Sequence, residues 1–189
     1  VYTKLQRSQY LGHTDLIRTL PRVIRRAGLA AYYSQGYHPK PVMSFGPALS
    51  LGIPSFGEIL DFQLVEDLSP TEVQECLNAV CPEGIQFLSI EKPEPGSKSL
   101  AKLINGGNYL VGIAADTLMN LCQIREDKLT ETLQQRIDLL LSSGDLKVER
   151  VRKNRTREVD IRPLIGSLSL KTAADLQNYL PELEWDQDL

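Results

Sequence analysis

The spacing of apolar residues at the start of the chain predicts a strand followed by a long helix. Polar and apolar positions alternate over residues 2–10, which favours a strand with one buried face. From about residue 14 to Ala27, apolar residues recur every three or four positions, which predicts a helix that ends before Gly28. Because Pro21 lies inside this pattern, we expect a kink or a helix in two pieces. The apolar stripe consists of Leu16, Leu20, Val23, Ile24 and Ala27.

Up to residue 91 the pattern predicts the order strand, helix, two or three strands, helix, strand, which matches a β-α-β-β-α-β unit. The predicted strands are 29–33, 42–51, 59–65 and 85–91. The first two strands flank a loop, residues 34–41, with the sequence SQGYHPKP. A second helix starts with Ser69 as its N-cap and Pro70 as its first residue, and it runs to about Val80. This order is typical of the split, ferredoxin-like arrangement.

The second half of the chain shows part of the same order again. Its predicted strands are 109–114, 146–151, 158–161 and 165–170, with a helix over 129–141. Residues 152–157 form the basic tip of a hairpin, and an acidic tail starts at Asp175. The sequence therefore predicts an α+β protein of two packed ferredoxin-like halves with antiparallel sheets. The halves are 1–92 and 108–189, the second only partial, and 93–107 is the linker between them.

Composition places the chain among ordinary globular proteins. It has 189 residues, of which 42% are hydrophobic and 24% charged. No apolar run approaches the roughly 18 residues that a membrane span needs, so we expect no membrane association. Three cysteines at irregular positions indicate reduced thiols and a cytoplasmic protein. The first residue is Val1 rather than Met, so we expect a piece of a longer protein.

Charge is distributed unevenly along the chain. Residues 1–50 contain seven basic residues and one acidic residue, a net charge of +6, and residues 145–165 have a net charge of +3. The whole chain has a net charge of −3, with an isoelectric point near 5.5. These values predict a local basic face on an acidic body, and such a face can bind a polyanion.

Two segments have the chemistry of a phosphate-binding surface. The first helix has a second stripe, of arginines, and prolines stiffen the loop 34–41, which lowers the entropy lost on binding. Guanidinium groups suit phosphate, and Tyr32, Tyr33 or Tyr37 can stack on unpaired bases. The predicted nucleic-acid-binding residues are Arg18, Arg22, Arg25, Arg26, Gln35, His38, Lys40, Arg152, Lys153, Arg155 and Arg157.

Few residues offer catalytic or metal chemistry. His13 and His38 are the only histidines, and Asp15 can orient His13 or simply start the helix. The cysteines Cys76, Cys81 and Cys122 have neither the spacing of an iron–sulfur triad nor that of a zinc site, so no metal site is predicted. The sequence also has no P-loop and no dinucleotide-binding glycine motif.

Two stretches resemble a known bacterial family. Residues 12–62, from GHTDLIRTLPRVIRRAG to FGEILDF, are similar to the signature of the radical-SAM-linked family, a domain of unknown function fused to or encoded beside radical SAM proteins. The stretch 159–163, VDIRP, resembles its second, shorter motif. The resemblance implies a radical SAM partner, in cis or in trans. It also implies that S-adenosylmethionine and an iron–sulfur cluster belong to that partner, and that RNA is the substrate context.

Three functions remain open at this point. The favoured one is a non-catalytic RNA-binding domain that recognises the substrate of an RNA-modifying radical SAM protein. The second is a metal-independent endoribonuclease in which His13 and His38 act as base and acid. The third is a protein-docking module for the radical SAM partner. The favoured function assigns no catalytic activity to this chain by itself.

Overall fold

The protein divides into two compact units, Val1–Asn108 and Tyr109–Leu189. The computed structural model describes residues 1–94, 96–152, 155–171 and 175. Both units combine helices with two-stranded antiparallel sheets, so the predicted α+β class is confirmed. The acidic tail predicted to follow Asp175 lies outside the described residues.

Helix α1 spans His13–Arg26 and is continuous through Pro21, so it is not divided into two pieces. At its start, the backbone N–H of Gly12 donates to Asp15 Oδ2 at 3.1 Å. At its end, Gly28 has a φ of 75°, which suits glycine because it has no Cβ to clash in the left-handed region. The predicted apolar stripe is confirmed, and its buried members are Leu16, Leu20, Val23 and Ile24.

The strand predicted over residues 2–10 is wrong after its third residue. Strand β1 covers only Tyr2–Lys4, and Gln6–Tyr10 form a 3-10 helix. Gln6 has a φ of 47°, so the chain leaves the extended conformation there. The backbone of Gly84 packs closely against Leu5 at this bend. A Cβ added at Gly84 would lie 2.0 Å from the carbonyl oxygen of Leu5.

Pairing in the first unit joins strands that are far apart in the chain. The remaining strands are β2 (Met43–Phe45), β3 (Ser55–Glu58) and β4 (Leu60–Phe62). β1 pairs antiparallel with β3, and Tyr2 also bridges Phe87 in the last extended segment. β4 pairs antiparallel with β2, and beyond its end Leu64 bridges Ala31. The named strands of this unit form two separate two-stranded sheets, and the strands predicted at 29–33 and 85–91 take part only through isolated bridges.

The remaining helices of this unit are α2 (Pro70–Asn78) and α3 (Leu100–Leu103). The Ser69 cap is confirmed, because its Oγ accepts the backbone N–H of Glu72 at 3.2 Å. α3 lies inside the segment expected to be a linker. The N–H of Leu100 donates to Asp61 Oδ2 at 2.7 Å, which fixes this helix beside β4.

The second unit is a helical segment followed by one hairpin. Its elements are α4 (Ala115–Cys122), a 3-10 turn (Glu126–Lys128), α5 (Leu129–Ser142), β5 (Lys147–Arg152), β6 (Arg155–Asp160) and a 3-10 turn (Arg162–Leu164). The predicted helix and the presence of a basic hairpin are confirmed, but the tip predicted at 152–157 is wrong, because Arg152 and residues 155–157 belong to the paired strands. The strands expected at 109–114 and 165–170 are wrong, since neither range pairs with any strand that the structure describes. Only part of the first unit's order is therefore repeated.

Burial separates the two units. The buried apolar cluster lies entirely between Tyr2 and Phe87, and it joins the inner face of α1 to α2 and the sheet. In the second unit, none of the described residues is buried. The polar side chain of Lys4 is fully enclosed by the first unit's core, and its Nζ has no hydrogen-bond partner.

Candidate nucleic-acid interface

The four arginines predicted on α1 all lie on its exposed surface. Arg18, Arg22 and Arg25 follow one another at four- and three-residue spacing, so they share one face of the helix. The opposite face is held in the core by the buried stripe. The described residues show ion pairs at Lys92 and Lys147, and no arginine of α1 takes part in an ion pair within the described part of the chain.

Three of these arginines line a groove of about 450 Å³ between α1 and the base of the proline-containing loop. The lining residues are Ile17, Arg18, Pro21, Arg22, Arg25, Tyr33 and Pro41. No acidic residue lines the groove, so the guanidinium groups face it without a counter-charge. Arg26 is exposed but lies outside this groove.

The loop is shaped as a narrow hairpin. Tyr33 bridges Pro41, and Ser34 donates its N–H to the carbonyl of Lys40 at 2.8 Å. The backbone N–H of Lys40 in turn donates to Ser34 Oγ at 3.1 Å. These bonds close the base of the loop beside α1, and residues 34–40 are all exposed. Three predicted ligands, Gln35, His38 and Lys40, therefore lie on the loop but do not line the groove.

The candidate catalytic residues each have a separate environment. The His13 ring lies edge-on to Phe45 with centroids 5.8 Å apart, and His38 lies edge-on to Tyr37 at 5.1 Å. Asp15 accepts the N–H of Gly12 and so acts at the helix start. None of the hydrogen bonds within the described ranges joins either histidine to Asp15.

A second group of arginines lies on the hairpin of the other unit. Arg150, Arg152, Arg155 and Arg157 line a groove of about 560 Å³. Three of them were predicted individually, whereas Arg150 lies within the basic hairpin predicted over residues 147–157 but was not named as a ligand. Alternation along a strand is the signal that identifies it, since residues 150 and 152 share a face. The predicted Lys153 lies outside the described residues.

The VDIRP motif has a structural role in the second unit. Asp160 Oδ1 accepts the N–H groups of Leu146, at 2.8 Å, and Arg162, at 3.0 Å. These two bonds lower the pKa of the Asp160 carboxyl, because they favour its charged form. The Arg162 side chain donates to the carbonyls of Leu141 and Ile165, so it connects α5 to the end of the hairpin.

The part of the chain that the structure describes contains neither a set of metal ligands nor a membrane-spanning helix. No group of three or more His, Cys, Asp or Glu side chains is arranged there to hold a metal ion. Burial raises the pKa of the Cys81 thiol to about 11, which disfavours the thiolate that a metal ligand requires. Among the described helices, none is both long and apolar enough to span a bilayer.

Comparison with known families covers almost the entire chain. The model of family DUF2344, an uncharacterized protein conserved in bacteria, matches residues 1–186. The chain belongs to this family. The predicted resemblance to a bacterial family of unknown function is thereby confirmed, but the description of DUF2344 names no radical SAM partner, and that link stays a prediction. No curated protein and no solved structure matches this DUF2344 chain.

Sequence reasoning missed the apolar part of the groove. Ile17 and Pro21 lie one turn apart beside the arginine stripe, and Pro41 closes the far side. Helical spacing alone places Ile17 and Pro21 next to Arg18, so that part was recoverable from the sequence. The contribution of Tyr33 and Pro41 depends on the pairing of distant strands.

Proposed function

We propose that this chain binds RNA and serves as a non-catalytic recognition domain for a radical SAM enzyme that modifies RNA. The observation that carries the proposal is the groove in which Arg18, Arg22 and Arg25 face Tyr33 and Pro41. The RNA-binding surface in this proposal belongs to the first unit alone.

Charge gives the groove its affinity for phosphate. The three guanidinium groups are spaced over two turns of α1, about 10 Å, at 1.5 Å per residue. Among the described residues they make no ion pair, and no acidic residue lines the groove, so an incoming phosphate displaces water and counterions there. Arginine presents its donors in a planar fork that matches phosphate oxygens. A row of such groups can bind phosphates along a nucleic-acid backbone.

Apolar groups in the groove favour an unpaired strand over a duplex. Tyr33 is 46% exposed and Ile17 is 43% exposed, although both lie against the groove. A tyrosine ring beside arginines provides a surface on which an unstacked base can lie. A base inside a duplex is already stacked between its neighbours and cannot lie on this ring, so single-stranded RNA is the favoured ligand.

The partner is proposed on sequence grounds. Residues 12–62 and 159–163 are similar to a family associated with radical SAM proteins. S-adenosylmethionine and the iron–sulfur cluster would belong to that enzyme, since the described residues of this chain hold no set of metal ligands. This chain would supply the substrate-binding surface.

A charge-reversal pair tests the proposal. In Arg22→Glu with Arg25→Glu, two of the groove's three cations become anions, so binding of a fluorescent single-stranded RNA at low salt should fall more than tenfold. Because both side chains are exposed, the thermal unfolding midpoint should change little.

The matched control is Arg7→Glu with Arg26→Glu. It changes the net charge equally, and both residues are exposed and lie outside the groove. It should keep most of the RNA affinity. Equal RNA binding by the wild type and the groove variant would refute the proposal. An equal loss of RNA affinity in the control would show that binding depends on net charge and not on the groove.

A further inference from the structure

The β5–β6 hairpin carries four arginines on one face in two cross-strand pairs. Arg150 lies directly opposite Arg157, and Arg152 lies directly opposite Arg155. Successive strand residues point to opposite faces, so all four side chains project from the same side of the hairpin. They are exposed, and together they line the groove of about 560 Å³.

All the acids of the two strands lie on the other face. Glu149 is opposite Glu158, and Asp160 is opposite Lys147. The ion pairs of this hairpin also lie on that side, between Lys147 and the carboxylates of Asp145 and Glu158. None of the four arginines makes an ion pair or a side-chain hydrogen bond within the described residues.

This distribution costs stability unless an anion is present. Like charges directly opposite each other across two strands are destabilising. The hairpin has two such pairs in succession, Arg150 with Arg157 and Arg152 with Arg155, and each pair forms one rung. No carboxylate of the two strands lies on the same face as these rungs. A ligand with negative charge at both rungs removes this repulsion.

We infer that this face is a second binding site, one that holds two successive phosphates of a single nucleic-acid strand. The inference takes its ligand class from the proposed function but uses none of the residues of the first unit's groove. Each rung supplies two guanidinium forks to one phosphate.

Spacing favours phosphates joined through a sugar. The two rungs are two residues apart along each strand, which is about 7 Å at roughly 3.4 Å per residue. Neighbouring phosphates of an extended strand are separated by a sugar and its two ester oxygens, a comparable length. The phosphates of pyrophosphate share one bridging oxygen, so they are too close together to occupy both rungs.

The experiment uses the full chain and short oligouridylates with one, two or three phosphodiesters. The side-chain Nε–Hε resonances of the four arginines are followed by NMR during each titration. The oligomer with two phosphodiesters should shift all four, and it should bind about tenfold more tightly than the oligomer with one. A third phosphodiester should add little.

Two variants remove one rung each, and a third serves as the control. Arg150→Gln with Arg157→Gln, or Arg152→Gln with Arg155→Gln, should abolish the gain from the second phosphodiester. Each should also lower the slope of log affinity against log salt by about 0.7. The control is Arg125→Gln with Lys128→Gln, which removes two exposed charges from the same unit and should leave both quantities unchanged.

Three outcomes would overturn the inference. In the first, no oligomer shifts the four resonances. In the second, pyrophosphate binds the hairpin more tightly than the two-phosphodiester oligomer, which assigns the site to a free polyphosphate. In the third, the control loses as much affinity as the rung variants. The groove variant Arg22→Glu with Arg25→Glu should leave the hairpin shifts intact, so failure at either site is seen separately.

Discussion

The arginines of α1 and those of the β5–β6 hairpin have the same charge and lack ion pairs among the described residues, but their supports differ. Those of α1 lie on a helix whose other face is buried in the core, with Leu20 fully inaccessible to solvent. Those of the hairpin lie on two strands in which eleven of twelve residues are exposed. Apolar burial therefore fixes the first set, and backbone pairing alone aligns the second.

This difference decides how each cluster tolerates its own repulsion. Burial of the α1 stripe contributes about 1.5–3 kcal/mol for each large side chain, far more than the repulsion between exposed charges. The helix can hold its arginines in place before any ligand arrives. The described residues of the hairpin gain no comparable stabilisation from apolar burial, so the geometry of the hairpin depends more on counterions. We expect the first site to be preformed and the second to be ordered by its ligand.

The largest expected effect contrasts one leucine from each unit. Leu20→Ala removes a fully buried side chain from α1 and should lower the free energy of unfolding by about 2–5 kcal/mol. Leu139→Ala, at a position 73% exposed on α5, should change it by less than about 0.5 kcal/mol. Urea denaturation followed by circular dichroism measures both. Similar losses for the two variants would mean that α5 has a buried face and would remove the contrast between the units.

The next effect concerns the enclosed amine of the first unit. Lys4 is 0% exposed and its Nζ has no hydrogen-bond partner, so Lys4→Met should raise the free energy of unfolding by about 1–3 kcal/mol. Lys98→Met, at an exposed position, is the control and should be neutral. If Lys4→Met is instead less stable than the wild type, the Lys4 amine has a stabilising role that burial alone does not explain.

The third prediction concerns the two backbone hydrogen bonds that Asp160 accepts at the end of the hairpin. The pKa of the Asp160 carboxyl is lowered in the folded state, so the carboxylate stabilises the folded state at neutral pH. This contribution is fully present above the unfolded pKa, about 3.9, and is lost as the pH falls through the lower folded value. Asp160→Asn should therefore speed amide exchange at Leu146 and Arg162 at neutral pH. It should also remove the acid-induced loss of protection.

Glu149→Gln provides the comparison for this prediction, because it neutralises an exposed carboxylate of the same hairpin. It should leave exchange at both amides close to that of the wild type. Unchanged exchange in Asp160→Asn would show that these two hydrogen bonds do not stabilise the end of the hairpin.

The smallest effect sharpens the contrast in repulsion. Arg157→Glu places a carboxylate opposite Arg150, and it should stabilise the hairpin by about 0.2–1 kcal/mol at low salt. In 1 M salt most of this gain should disappear. Hydrogen exchange of the β5 and β6 amides measures it. Faster exchange in the variant at low salt would show that the arginine pairs do not repel each other in the native hairpin.

Local signals predicted the elements whose stability is local. The three- and four-residue spacing of apolar residues located α1, and the Ser69–Pro70 pair located the start of α2. The same reasoning failed at residues 109–114, which have the composition of a strand but no partner to pair with. It also failed after Lys4, because the positive φ of Gln6 has no sequence signature in a residue that seldom adopts it.

The sequence by itself determined which residues share a face, since the repeat of a helix or a strand is a property of the local backbone. It therefore gave the arginine row of α1 and most of the arginines of the hairpin. Only the tertiary structure decided that Tyr33 and Pro41 close a groove over that row. Their position depends on pairing between segments far apart in the chain, whose free energy comes from burial and hydrogen bonds that no short stretch of sequence contains.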